Sequence, residues 1–316
     1  MSFDDAVIDP DGSWMSARSP AAACVVLSLV CGCARRSSHS RLDGNQTKMV
    51  ASVEVRPLPI PVGRQVTMNA HVEVVWTIVT DGYSGEGGVG TIGRRYARSA
   101  TSLATVLERG KEPTEARLVR VEYSSAVTQH ELNGTVGAAP DVLSGRSLRL
   151  SLASDGSVAV ADSSGAPLSA DMVDEVRGDY VEVGRPHSLL ASFPPGALTT
   201  GEKVGYLDEF IRRQVDGQLA ATVFPSGQFT YGTASHVRSM TTDSVHFELD
   251  VQTLAADGGW MEPSLRLQGA LVVRAPHGWP LSLTLKGKAR RAFATLGGVQ
   301  THDGSIALEI RWTYES

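Results

Sequence analysis

Cysteine is scarce in this sequence and is confined to one short stretch. The chain of 316 residues contains three cysteines, Cys24, Cys31 and Cys33. The residues after Cys33 therefore offer no disulfide framework, no cysteine-ligated zinc site and no cysteine nucleophile. A folded body must then be stabilised by its apolar core, and roughly 280 residues are enough for one large or two small domains.

The sequence also lacks a strong excess of either charge. It has 29 basic and 34 acidic residues, a formal net charge of −5, and no basic run stands out. Because nucleic-acid binding depends on a basic surface, we expect no nucleic-acid partner. Long apolar runs are equally rare. The one in residues 21–30 is about half the length that a membrane-spanning helix needs, which is about 20 residues.

Signatures of catalysis and of cofactor binding are missing or poorly placed. Residues 88–93 read GVGTIG, the dinucleotide pattern G-x-G-x-x-G, but a long loop separates them from the preceding strand, predicted to end at Ile78. A glycine-rich hairpin loop explains them better than a nucleotide site. His246 and Glu248 share one strand face, which is typical of a solvated polar face. The sequence thus predicts no catalytic, cofactor-binding or metal-binding residue, and a non-enzymatic protein.

Residues 15–33, MSARSPAAACVVLSLVCGC, have the features of a secretion signal. Arg18 supplies a positive charge, residues 21–30 are apolar apart from one serine, and Gly32 precedes Cys33. The lengths suit a signal peptide rather than a membrane span. The end of the stretch, VCGC, resembles the lipobox of bacterial lipoproteins. That resemblance implies cleavage after Gly32 and lipid attachment to Cys33.

The resemblance also implies a location and a processing pattern. Residues 15–32 would be the signal peptide. Residues 1–14 carry four aspartates and no basic residue, which opposes export, so we expect them to be a mis-assigned extension before a start at Met15. The mature chain would be held by lipid at the bacterial cell envelope, and Ala34 after the cysteine points to the outer membrane. The alternative is an apolar helix of a cytosolic protein. Residues 33–61, polar and then proline-rich, are predicted to be a flexible tether.

Alternation of apolar and polar residues dominates the sequence after the tether. Residues 66–78 alternate with a period of two, which predicts a long half-buried strand. Similar alternation recurs around residues 119–123, 148–160, 245–251, 265–285 and 306–314. One apolar and one polar face is typical of antiparallel sheets with a solvated side. The sequence predicts a mainly antiparallel β fold, arranged as open curved sheets or a sandwich, and leaves residues 94–109 ambiguous between strand and helix.

Two segments break this alternation and predict amphipathic helices. Residues 169–181 place apolar side chains four apart, and residues 202–215 do the same. Thr199 and Glu202 have the spacing of a capping box before the second segment. Residues 192–196 would join the two helical segments as a linker, with a functional loop as the alternative.

A faint internal repeat suggests two β-rich lobes. Residues 61–66, PVGRQV, resemble residues 199–204, TTGEKV, and each stretch precedes alternating strands. We predict lobe 1 over 62–198 and lobe 2 over 199–316. The lipobox, the tether and a P-x-G-x-x-V entry to a β-rich lobe resemble a group of bacterial β-rich lipoproteins to which no activity is assigned.

The sequence therefore favours a lipid-anchored binding or structural module of the envelope. The alternative is a periplasmic carrier of lipid or another apolar ligand, because a curved sheet closed by an amphipathic helix can enclose a cavity. An envelope hydrolase is a further alternative without a motif behind it. An apolar cavity would favour the carrier, whereas a filled core with an exposed apolar patch would favour a protein-binding module.

Overall fold

The structure is a computed structural model that describes residues 49–82, 90–153, 157–219, 231–253, 264–295 and 298–315. All of them belong to one compact unit, residues 47–316. The predicted extension 1–14, the predicted signal 15–32 and Cys33 lie outside the described residues.

Fourteen strands make up most of the described chain. They are β1 (Ser52–Glu54), β2 (Gln65–Gly82), β3 (Gly90–Arg109), β4 (Ala116–Leu132), β5 (Thr135–Pro140), β6 (Ser147–Leu152), β7 (Val158–Asp162), β8 (Ala197–Thr199), β9 (Lys203–Val204), β10 (Tyr231–Met240), β11 (Ser244–Thr253), β12 (Ser264–Arg274), β13 (Trp279–Thr295) and β14 (Gly298–Tyr314). Twelve of them form one antiparallel curved sheet that does not close, as the alternation predicts, and β1 pairs with β8 apart from it.

The sheet consists of two meanders, which are joined at the centre by the pairing of β2 with β14. Its order is β7-β6-β4-β3-β2-β14-β13-β12-β11-β10-β9, with β5 added to β4. Strands β2–β7 come from predicted lobe 1 and strands β9–β14 from predicted lobe 2. Pairing of β14 with β2 along 17 residues, Val66–Gly82 with Gly298–Tyr314, joins the two segments into one continuous sheet.

The inner face of this sheet carries the core. On β2, Val72 and Val74 are at most 3% exposed, and they pair with inner residues of β14 such as Leu308. Two inner positions, Gly269 and Gly287, are glycines. A Cβ at either one would collide with a carbonyl of the neighbouring strand. These close backbone approaches let the sheet curve strongly around the elements that cover it.

Within the described ranges, three helices cover the inner face: α1 (Ala170–Asp179), α2 (Ser188–Ser192) and α3 (Asp208–Leu219). Helix α1 lies where the spacing predicts it, and the Ser169 hydroxyl accepts a hydrogen bond from the Met172 amide at 3.3 Å. Helix α2 was not predicted.

Helix α3 begins later than the predicted segment 202–215, because Thr199 and Glu202 do not cap it. The Glu202 carboxylate accepts a hydrogen bond from the Thr199 amide at 2.9 Å, and this pair closes the turn between β8 and β9. Capping-box spacing here marks a turn between strands. The apolar face of the predicted helix is nevertheless buried: Leu207, Ile211 and Val215 are fully buried.

Residues 49–61, the second half of the predicted tether, form defined contacts with the rest of the fold. Strand β1 pairs with β8, and Val55 is 3% exposed. The Leu58 carbonyl accepts a hydrogen bond from the Trp279 indole N–H at 2.7 Å. Backbone hydrogen bonds and side-chain burial thus hold this segment, despite its prolines.

Candidate functional site: an apolar cavity beside a buried charge network

A cavity of about 130 Å³ lies between the inner face of the sheet and the helices. Its floor comes from β2, β3, β4 and β14, and its cover from α3, Leu190 of α2 and the segment after α1. Small inner residues of the sheet, Ala104 and Ala116, leave room that the helices do not fill. The cavity therefore arises because small side chains of the sheet lie opposite the helices.

Most of the cavity wall is apolar. The aromatic and aliphatic residues include Val66, Met68, Val106, Val119, Leu190, Phe210, Trp312 and Tyr314. Pro59 and Ile60, from the segment predicted as tether, form one side. A mainly apolar pocket with few polar groups is the usual form of a small-molecule site.

Two side chains of this wall have polar atoms without a hydrogen-bond partner among the described residues. Gln214 on α3 is 4% exposed, and no described group bonds its side-chain amide. The Nδ1 atom of His187 is buried without a partner. Burial lowers the pKa of His187, which favours the neutral imidazole despite the carboxylate of Glu182 nearby. The mainly apolar wall thus contains two neutral polar groups besides the carboxylates of Glu115, Asp179 and Glu182.

A buried charge network borders the cavity. The Arg98 guanidinium on β3 donates to both oxygens of Asp179 on α1, at 2.9 and 3.0 Å, and to Asp141 at 3.2 Å. Tyr123 donates to Asp179 at 2.7 Å and Gln218 of α3 does so at 3.1 Å. These bonds tie two helices to the sheet. Bidentate pairing of this kind fixes orientation as well as charge.

Acidic groups outnumber basic ones in this network. Besides Asp141 and Asp179, Glu175 approaches Arg98 to 4.0 Å, and its Oε2 atom is buried without a hydrogen bond. Burial raises the pKa of Glu175 to about 7, although Arg98 opposes the shift. The network therefore contains a carboxyl group that titrates near neutral pH.

The two longer helices cross at a pair of glycines. The carbonyl of Gly178 on α1 lies so close to Gly217 on α3 that a Cβ at either glycine would collide with the other residue's backbone. This contact brings Asp179 and Gln218, the next residues along, within hydrogen-bond distance. The helix crossing and the charge network together determine the distance between α3 and the sheet.

The structure does not assemble the residues that the sequence offered for metal or nucleotide binding. His246 lies 3.2 Å from the Ser244 hydroxyl, and Glu248 pairs with His236 at 3.3 Å, so each has its own neighbour. Among the described residues, no group of three or more His, Cys, Asp or Glu side chains could hold a metal ion. Gly90 and Gly93 lie on β3, antiparallel to β2, whereas a dinucleotide site needs a turn from strand to helix.

The predicted linker 192–196 is partly core. Phe193 is 9% exposed, and its ring lies 5.4 Å from that of Tyr206 and 6.5 Å from that of Phe247. It therefore anchors the end of α2.

Sequence analysis offered an enclosed cavity only as the basis of an alternative function, and it missed both the residues that line the cavity and the charge network. Asp141 is 43 residues and Asp179 81 residues from Arg98, so no local spacing marks their contact. The sequence contained one signal of the network: if residues 94–109 are taken as a strand, Arg98 falls at an inward position.

Comparisons with known proteins add little to this geometry. No protein-family model matches the sequence, and no curated protein is similar to it in sequence. Among solved structures, the chain is similar to one described as lipid–protein interactions in lipovitellin, with a TM-score of 0.40 and 8% identity. That match covers 81% of this chain and 26% of the other.

Two bacterial structures match with lower scores. One is an outer membrane channel of Pseudomonas putida F1, at a TM-score of 0.19 and 11% identity over 82% of this chain and 100% of that chain. The other is Ail, the attachment invasion locus protein of Yersinia pestis, at 0.13 and 5% identity over 80% and 100%. Scores of this size carry no functional argument. Across the described residues, no helix is long and apolar enough to cross a membrane.

Proposed function

We propose that this chain binds and carries an apolar small molecule in the cavity between its sheet and its helices. The observation that carries the proposal is the cavity itself, about 130 Å³ with mainly apolar walls. An apolar cavity of about 150 Å³ in another protein stays dry and binds benzene. The space here suits a ring or a short alkyl segment of similar size.

The fold supports reversible binding by this cavity. Its floor is a continuous hydrogen-bonded sheet, while its cover consists of α3, α2 and short connecting segments. Local opening is easier where few backbone hydrogen bonds cross to the rest of the fold. A longer chain would enter by displacement of the cover, with the sheet left unchanged.

We further propose that the carrier works at the bacterial cell envelope, anchored through lipid on Cys33. This part rests on the resemblance of VCGC to a lipobox. Cells grown with labelled palmitate should label the wild type and not Cys33→Ala. Equal labelling of both proteins would refute the anchor and leave the cavity proposal standing.

A cavity-filling substitution tests the carrier directly. Ala104→Phe places a ring into the cavity from β3, whereas Leu103→Phe, one residue earlier, points to the opposite face of the sheet. We expect toluene to bind the wild type and Leu103→Phe with similar affinity in a calorimetric titration, and Ala104→Phe at least 10-fold more weakly. Circular dichroism would confirm that both variants fold. Equal binding by both variants, or no binding by the wild type, would contradict the proposal.

A further inference from the structure

The polar groups of the cavity wall fall into two classes. Asp179, Glu182 and Glu115 are charged, and each already accepts hydrogen bonds: Asp179 from Arg98, Tyr123 and Gln218, Glu182 from Ser188 and Arg213, and Glu115 from the backbone amides of Lys111 and Glu112. Gln214 and His187 are neutral; the Gln214 amide forms no hydrogen bond with the described residues, and Nδ1 of His187 is buried without a partner. Gln214 and His187 therefore offer hydrogen-bonding capacity that is uncharged and that no described residue uses.

Gln214 and His187 border the same space. Phe210 and Gln214 are four residues apart and share one face of α3. The His187 ring stacks on Phe210, with centroids 5.9 Å apart and planes 19° apart. His187 thus lies one helical turn from Gln214, and both residues line the cavity.

Unpaired polar groups at such depth call for a partner. Buried amides and imidazoles in folded proteins nearly always form hydrogen bonds. Gln214 could be replaced by an apolar residue of similar size without any loss of bonding to the described chain. Its amide therefore has a use only when something else occupies the cavity.

We propose that the carried molecule has one uncharged hydrogen-bonding group, a hydroxyl or an ester carbonyl, which pairs with the Gln214 amide and the His187 imidazole. This inference rests on the proposed carrier function and specifies its ligand class. A charged group is disfavoured, because an ion in an apolar cavity needs an opposite charge. Among the described residues no Lys or Arg lines the cavity, and its carboxylates already accept hydrogen bonds from other groups. The ligand class is thus a neutral amphiphile.

The test uses probes of matched shape. Phenol and toluene differ by a hydroxyl in place of a methyl group, and both are close to the size that the cavity accepts. Benzoate adds a charged arm. Affinities of all three would be measured by calorimetry for the wild type, Gln214→Leu, Gln214→Met and His187→Phe. The last variant keeps the stack on Phe210 and removes the ring nitrogens.

The expected result is a change in selectivity. Gln214→Leu and Gln214→Met should bind phenol about 10-fold more weakly, in line with a hydrogen bond lost in a buried site, and bind toluene at least as well as the wild type. His187→Phe should act in the same direction. The wild type should bind benzoate at least 10-fold more weakly than phenol.

Each other outcome overturns a definite part of the argument. If the substitutions change phenol and toluene affinity by the same factor, Gln214 and His187 only shape the cavity and the inference is wrong. If benzoate binds as well as phenol, the group need not be uncharged. If the wild type binds none of the probes, the carrier proposal itself fails. The two Gln214 variants guard against a single misfolded protein.

Discussion

Replacement of Arg98 by methionine should destabilise the protein far more than loss of an ordinary ion pair. Arg98 is 6% exposed, and its two closest carboxylates, Asp179 and Asp141, are 6% and 8% exposed. Arg98→Met removes five potential donors and leaves both acids buried without their cation. Breaking one side of a buried pair in this way costs about 3–5 kcal/mol, because an uncompensated charge remains.

Arg95 provides a matched control on the same strand. It pairs with Glu73 at 2.6 Å, as short a contact as any in the buried network, but the two side chains are 39% and 32% exposed. Exposed pairs contribute about 0–1 kcal/mol. Arg95→Met should therefore lower the free energy of unfolding by less than about 1 kcal/mol.

Urea denaturation at pH 7.5, followed by circular dichroism, measures both free energies of unfolding. Similar losses for Arg98→Met and Arg95→Met at pH 7.5 would show that the network contributes no more than a surface pair, and would refute the reasoning.

Three further predictions concern the helices. Burial raises the pKa of Glu175 from 4.5 to about 7, so the folded state binds this proton more tightly than the unfolded state, and Glu175 lowers the free energy of unfolding as pH rises from about 5 to 8. Glu175→Gln should remove this dependence of the unfolding free energy on pH in urea titrations, and an unchanged dependence would contradict the prediction. Gly217→Ala should lower the free energy of unfolding by about 1–3 kcal/mol, because the added Cβ forces α1 and α3 apart. Gly205→Ala, where a Cβ meets no atom within 4 Å, should lower it less. Equal melting temperatures of the two variants would refute the close helix crossing. Leu207→Asp should abolish cooperative thermal unfolding, because it places a charge at a fully buried position. Leu207→Met should change the melting curve little. An unchanged melting curve for Leu207→Asp would count against the packing of this position.

Alternation identified the strands wherever the inner face is apolar. On β14, Ile306, Leu308 and Ile310 are at most 2% exposed, and the outward residues between them are polar or small. A period of two is then visible without any knowledge of partners. This is why the fold class followed from the sequence.

Strand β3 shows where the same reasoning stops. Its inward positions include Arg94, Tyr96, Arg98 and Ser102, which pair across from Trp76, Val74, Val72 and Met68 on β2. Polar residues on both faces hide the period of two, so residues 94–109 stayed ambiguous between strand and helix. The ambiguity falls on the strand that carries Arg98, because a buried ionic network replaces apolar packing there.

The candidate site depends on contacts that no local pattern records. The cavity needs small residues on β3 and β4 opposite Phe210 and Gln214 on α3, which lie more than 90 residues further along the chain. Helical periodicity predicted that Ile211 and Val215 would be buried. It could not show that Gln214, on the polar side of the pattern, would be buried as well.

The charge network also explains why the cavity stays open. An amphipathic helix that packs only through apolar contacts settles until its side chains fill the space beneath it. Here α1 is held by the bidentate pair from Arg98 to Asp179, and α3 is held to α1 at Gly178 and Gly217 and through Gln218. These contacts have fixed lengths and directions, so α3 cannot move onto Ala104 without breaking them. The buried charges, although costly for stability, thus maintain the gap that the proposed ligand fills. The ligand site depends on Arg98 through Asp179, although Arg98 itself does not line the cavity.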